Sequence, residues 1–129
     1  MSKFSELIEG ICAADERYSP DAYEFVFKGL TYAQKKLKKQ SHITGRELSL
    51  GLRDYAVNEY GALARTVLAH WGIGKTEDFG NIVYNMIGKK LMSRSEEDRR
   101  EDFNAVYDFE PAFANALEET MELKIPDKP

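Results

Sequence analysis

Apolar residues recur at helical spacing on both sides of one short interruption, Gly72-Ile73-Gly74-Lys75, which confines the centre of the chain to two helices joined by a tight turn. Before the turn the stripe is Leu63, Ala64, Val67, Leu68 and Trp71; after it, Phe79, Ile82, Val83, Met86 and Ile87. Gly72 suits a left-handed helix end, and Thr76 is placed to cap the next helix. Ile73 is the apolar turn residue expected to plug the angle between the two helices.

The octapeptide from Ala69 to Thr76 also fits a permissive phosphate-loop pattern ending in Gly-Lys-Thr. A phosphate loop is delivered by a buried strand, so that its amides and the following helix dipole face the phosphates. Here the entering segment is helical by pattern, Ala69 replaces the first glycine, bulky Trp71 lies inside the loop, and no alternation of strands and helices surrounds it. Residues 69–76 are therefore disfavoured as a nucleotide site, and Lys75 reads as an ordinary exposed turn residue.

Further helices flank this centre. Phe4, Leu7, Ile8, Ile11 and Cys12 make one stripe, on which Cys12 reads as a small buried hydrophobe. Ser19 is placed as an N-cap before Pro20 and Asp21, with Tyr18 and Tyr23 spaced as a hydrophobic staple. That helix runs through Val26, Phe27, Leu30, Ala33 and Leu37 into a lysine cluster, Lys35-Lys36-Leu37-Lys38-Lys39, which reads as a solvated helix terminus. Thr44 and Glu47 form a capping-box pattern ahead of Leu48, Leu52, Tyr55, Ala56 and Tyr60. Gly61 and Gly88 are placed to end helices, and Phe113 to Leu123, with Ala114, Ala116, Leu117 and Met121, gives a last one.

Residues 91–109 have no clear period. Two strands, Leu91 to Ser95 and Phe103 to Phe109, and a helix over Glu96 to Phe103 with a Glu96–Arg100 ion pair are both open. The fold class expected is mainly α: a single domain over 1–123 with about six helices, a winged-helix-like helix-turn-helix centre and room for one small hairpin, followed by a polar tail over 124–129.

The 129 residues carry 18 basic and 22 acidic side chains, a net charge of −4, which offers no general attraction to nucleic acid or an anionic membrane. The acidic excess is local, since residues 93–129 hold five basic and eleven acidic side chains. A lone cysteine excludes an internal disulfide and points to a reducing, cytoplasmic setting. No stretch approaches the ~20 apolar residues that span a bilayer, so no membrane role is expected.

Chemistry-bearing constellations are scarce. His42 and His70 stand a helix apart without ligand-like spacing, and Glu101, Asp102, Asp108 and Glu110 lack the alternation and glycine of a calcium loop. His42 reads as a capped loop residue and His70 as partly buried. No catalytic residue, metal or cofactor is assigned, and an enzyme is disfavoured. In a DNA-binding winged helix the start of the second helix reaches base edges, yet this chain offers Glu77 and Asp78 there, and its wing segment carries Glu96, Glu97, Asp98, Glu101 and Asp102. DNA binding is the weaker alternative to protein contact. The candidate interaction surface is Glu77, Asp78, Asn81, Tyr84 and Asn85 on the second helix, with Tyr107, Asp108 and Phe109 beside it. Core packing is the competing account of Tyr107 and Phe109. A protein partner or self-association is expected.

Several phrases together, Tyr18-Ser19-Pro20-Asp21-Ala22-Tyr23, Thr44-Gly45-Arg46-Glu47-Leu48, His70-Trp71-Gly72-Ile73, Asp78-Phe79-Gly80-Asn81-Ile82-Val83, and Asp102-Phe103 followed by Tyr107-Asp108-Phe109, resemble a family of short uncharacterised bacterial proteins represented in planctomycetes and deltaproteobacteria. The resemblance spans Tyr18 to Phe113 and departs at Ala62 and at Lys89-Lys90. It implies no activity and transfers no site residue.

Overall fold

The computed structural model describes residues 3–39, 42–94 and 98–124, with side chains through 119. Among the described residues six α-helices follow in order: α1 Lys3–Ala14, α2 Pro20–Leu37, α3 Gly45–Tyr60, α4 Ala64–His70, α5 Thr76–Gly88 and α6 Phe109–Lys124. One turn of 3-10 helix, Gly61–Leu63, joins α3 to α4, and another, Arg100–Phe103, lies between α5 and α6. None of the described helices is long and apolar enough to cross a membrane. Ser95, Glu96, Glu97, the Met121 side chain and the tail beyond Lys124 lie outside the described residues, as does the expected Glu96–Arg100 pair.

Local signals place most helix ends. Thr44 Oγ1 accepts from the Glu47 amide at 3.0 Å while Glu47 Oε1 accepts from the Thr44 amide at 2.9 Å, closing the capping box at the start of α3. Pro20 opens α2 behind an extended Ser19, but the Ser19 hydroxyl makes no capping hydrogen bond. Tyr18 and Tyr23 pack edge to face across that start, ring centroids 6.4 Å apart. Lys38 adopts the left-handed conformation that ends α2, its amide donating to the Lys35 carbonyl.

Two of the expectations need correction. Thr76 does not cap α5: Lys75 holds the N-cap position, and Thr76 is the first helical residue, wholly buried. Among the described residues of 91–109 there is no strand, and the helical structure ahead of α6 is the single turn Arg100–Phe103. The physical reason is Phe103, whose ring wedges between α3 and α5 where Gly45 and Gly80 leave room; a Cβ on either glycine would stand about 3 Å from it. Phe103 thus anchors the segment by one wedged ring, and hydrogen bonds from α5 add to it, in place of a periodic face.

Helix α5 runs through the middle of the molecule, with Phe79, Ile82 and Met86 fully buried. Helices α2 and α3 cross closely, because a Cβ on Gly51 would approach the Ala33 Cβ to 2.5 Å. Around this crossing Tyr23, Val26, Leu52 and Leu68 complete the core, and Ile73, 1 % exposed, plugs the α4–α5 turn as expected. Gly72 sits at φ +95°, and a Cβ there would lie 2.2 Å from the Arg17 carbonyl oxygen, so only glycine lets the α1–α2 loop dock on this turn. The Ser19 amide completes the docking by donating to the Trp71 carbonyl at 3.2 Å.

Candidate functional site

The polar residues of α5, expected as an outward surface, are tied to their own chain. Asp78 Oδ2 accepts from the Gly74 and Lys75 amides at 2.8 and 3.2 Å, and Oδ1 accepts from the Tyr18 hydroxyl at 2.5 Å. Asn81 donates to that same hydroxyl at 2.9 Å and accepts from Arg100 at 2.8 Å. Asn85 donates to Asp15 at 2.9 Å and to the Tyr23 hydroxyl at 3.0 Å. Glu77 accepts from the Ala105 amide at 3.2 Å. The four residues thus form a polar seam joining α5 to the α1–α2 loop on one side and to the segment after Arg99 on the other.

The seam has a distinct electrostatic character. The Arg17 guanidinium grips Asp15 at 2.7 Å, and with the Asn85 amide it holds the Asp15 carboxyl far below the ordinary carboxylate range. Burial, reinforced by the hydrogen bond to Asp78, pushes the Tyr18 hydroxyl up to about 12. Burial likewise raises Tyr23. Asp15, Tyr18 and Tyr23 are therefore held in their ordinary neutral-pH forms, and every hydroxyl and carboxylate of the seam has an internal partner.

The same contacts bear on phosphate binding. The Gly74 and Lys75 amides, which an incoming phosphate would use, are occupied by the Asp78 carboxylate, and the loop leaves a helix rather than a strand. Lys75 is exposed. His42 Nε2 meets Asp98 Oδ1 at 2.7 Å, while His70 is exposed rather than partly buried. Among the described residues no group of three or more His, Cys, Asp or Glu could hold a metal. Cys12 is half-buried, its thiol raised by desolvation and by Asp15, with Sγ 3.7 Å from the Tyr18 carbonyl oxygen.

Tyr107 and Phe109 join the core side of the molecule. Phe109 is buried between Phe79 and Phe113, at ring distances of 5.8 and 5.0 Å. Tyr107 donates to the Ser49 carbonyl at 2.6 Å, and desolvation drives its pKa far above the ordinary phenol value. Asp108 is exposed, its carbonyl accepting from the Ala112 amide as α6 begins.

Of the eight candidate residues, Tyr84 faces a different environment. It borders a groove of about 890 Å³ enclosed by α2, the start of α3, the end of α5 and the segment beyond it. Leu30, Ile43, Leu48, Val83, Ile87, Leu91 and Met92 give the groove an apolar floor, with Lys90, Arg94, Asp98, Arg99 and Asp102 among its polar lining. The Arg94 and Arg100 guanidinium carbons lie 5.8 and 5.5 Å from the centre of the Tyr84 ring. The Tyr84 hydroxyl is shielded from solvent and makes no hydrogen bond among the described residues. Sequence patterning missed this groove because its floor is assembled from residues as far apart as Leu30 and Met92. One signal was present: Leu91 and Met92 continue as apolar residues past the end of α5. No protein-family model, no curated protein and no solved structure matches the chain.

Proposed function

We propose that the chain is a non-catalytic module that binds another protein, and that the groove between α2, α3 and α5 receives it. The observation that carries this reading is the groove itself: nine apolar side chains, Phe27 and Phe103 among them, line an open depression of about 890 Å³ on a small molecule. In this reading the α3–α4–α5 centre serves in a winged-helix-like way only as a rigid support. Every residue of α5 from Thr76 to Ile87 is buried or half-buried, so this helix has no exposed face to lay in a DNA groove. The candidate surface contracts to Tyr84 and the groove, with the other α5 residues serving the scaffold.

A photo-crosslinking amino acid placed at Leu91, in the groove, and at exposed Ala62, away from it, tests the proposal in the native cell. One protein captured through position 91 and absent at position 62 is the expected result. Equal capture at both positions, or capture at neither, contradicts it.

A further inference from the structure

Helix α2 carries a second feature, independent of the groove floor. Its outer stripe reads Asp21, Glu24, Lys28, Thr31 and Lys35, spaced alternately three and four residues apart, with Lys38 at the left-handed cap just past the last helical residue, all exposed. Charge is segregated along this stripe, acidic at the N-terminal end and basic at the C-terminal end. Asp21 and Lys38 are symmetric about the midpoint between Gly29 and Leu30; so are Glu24 and Lys35, and so are Lys28 and Thr31. An antiparallel copy of the helix laid against this stripe therefore sets each acidic position opposite a basic one, twice over. A parallel copy sets like charge on like.

We infer that the outer face of α2 pairs with the same face of a second copy of this chain, antiparallel about a two-fold axis near Gly29 and Leu30. The charges needed are available. Lys36 and Lys39 are engaged within the chain, by Asp54 at 2.7 Å and Glu47 at 2.8 Å. Among the described residues Asp21, Lys35 and Lys38 take part in no ion pair, and Glu24 holds only its own Lys28, at 2.6 Å on the exposed surface. Apolar surface lies beside the acidic end. Phe27, 38 % exposed, stacks on Phe4 at 4.9 Å and borders a depression of about 520 Å³ between α1 and α2, whose charged rim is Glu9, Asp21 and Glu24 with the single cation Lys28, itself paired with Glu24. The basic end of the partner helix, with its long aliphatic lysine stems and ammonium tips, matches that acid-rimmed apolar depression. Exposed ion pairs contribute little each and are screened by salt, so this dimer is weak and salt-sensitive.

Sedimentation equilibrium of the full chain at low salt, from micromolar to millimolar concentration, tests the pairing. The wild-type protein is expected to show a monomer–dimer equilibrium. Glu24→Lys and Lys35→Glu are each expected to weaken it by about tenfold, because each sets like charges opposite twice. Mixing the two variants is expected to restore association to within about threefold of wild type, since in the mixed dimer both contacts are of opposite sign. Circular dichroism confirms that these exposed substitutions leave the fold intact. A monomer at every concentration, a dimer indifferent to either substitution, or a mixture that associates no better than its components overturns the inference.

Discussion

Helix α5 borders two unlike regions. Toward the α1–α2 loop its side chains are polar and each finds a partner: Asp78 with Tyr18, Asn81 with Tyr18 and Arg100, Asn85 with Asp15 and Tyr23. Toward the end of α2 its side chains are mostly apolar and line an open groove with Leu91 and Met92. Around one helix, then, half-buried polar side chains are tied into the fold, while half-buried Ile87 borders a groove that its own chain leaves open. A polar side chain whose every hydrogen bond is made inside the molecule contributes to the scaffold, whereas an apolar side chain left uncovered is what a partner can use.

The largest effect that separates the regions is at Thr76. Its hydroxyl donates to the Phe103 carbonyl at 2.7 Å and accepts from the Val106 amide at 3.1 Å in a buried site. Thr76→Val keeps the shape and leaves both backbone groups unsatisfied, so chemical denaturation should show a loss of about 2–3 kcal/mol. A loss below about 0.5 kcal/mol would mean that Thr76 does not fasten the segment after α5.

An intermediate effect is expected in alkali. Tyr18 is raised to about 12, above the ordinary phenol value of about 10, so the stability it contributes by staying neutral is intact below about pH 10 and is lost as pH rises through about 12. The urea midpoint should fall over that window, and Tyr18→Phe should flatten the fall in part, since burial also raises Tyr23, Tyr55, Tyr60, Tyr84 and Tyr107. An identical pH profile for the variant would remove Tyr18 from the account.

The smallest effect belongs to the groove. Met92→Lys puts a flexible cation on a half-exposed edge from which its tip reaches water, and should cost about 1 kcal/mol or less. In the proposed function the same substitution abolishes capture through position 91. Stability loss comparable to that of Thr76→Val would show that the groove is closed core instead.

Much of the helical frame was legible in the sequence, because its signals are local. The stripes around Leu52, Leu68 and Ile82, the Thr44–Glu47 box and the Ile73 plug depend on residues within a few positions of one another. The seam was not legible. Thr76 looked like a cap because its partners, Phe103 and Val106, lie 27 and 30 residues along the chain, and Asp78 took over the capping instead. Asn81 and Asn85 looked like surface because the groups that bind them, 62 to 70 residues away for Tyr18, Tyr23 and Asp15, come from the α1–α2 loop and the first turn of α2, far along the chain from α5. The segment after Gly88 defied assignment because Phe103 holds it in place of any repeating pattern.

The claim that α5 uses its polar residues to hold the fold is tested most directly by a double-mutant cycle on Tyr18→Phe and Asp78→Ala, read by chemical denaturation. The 2.5 Å hydrogen bond between them predicts a coupling of about 1–2 kcal/mol. Effects additive to within about 0.5 kcal/mol would contradict it, and would return Asp78 to the exposed surface where the sequence first placed it.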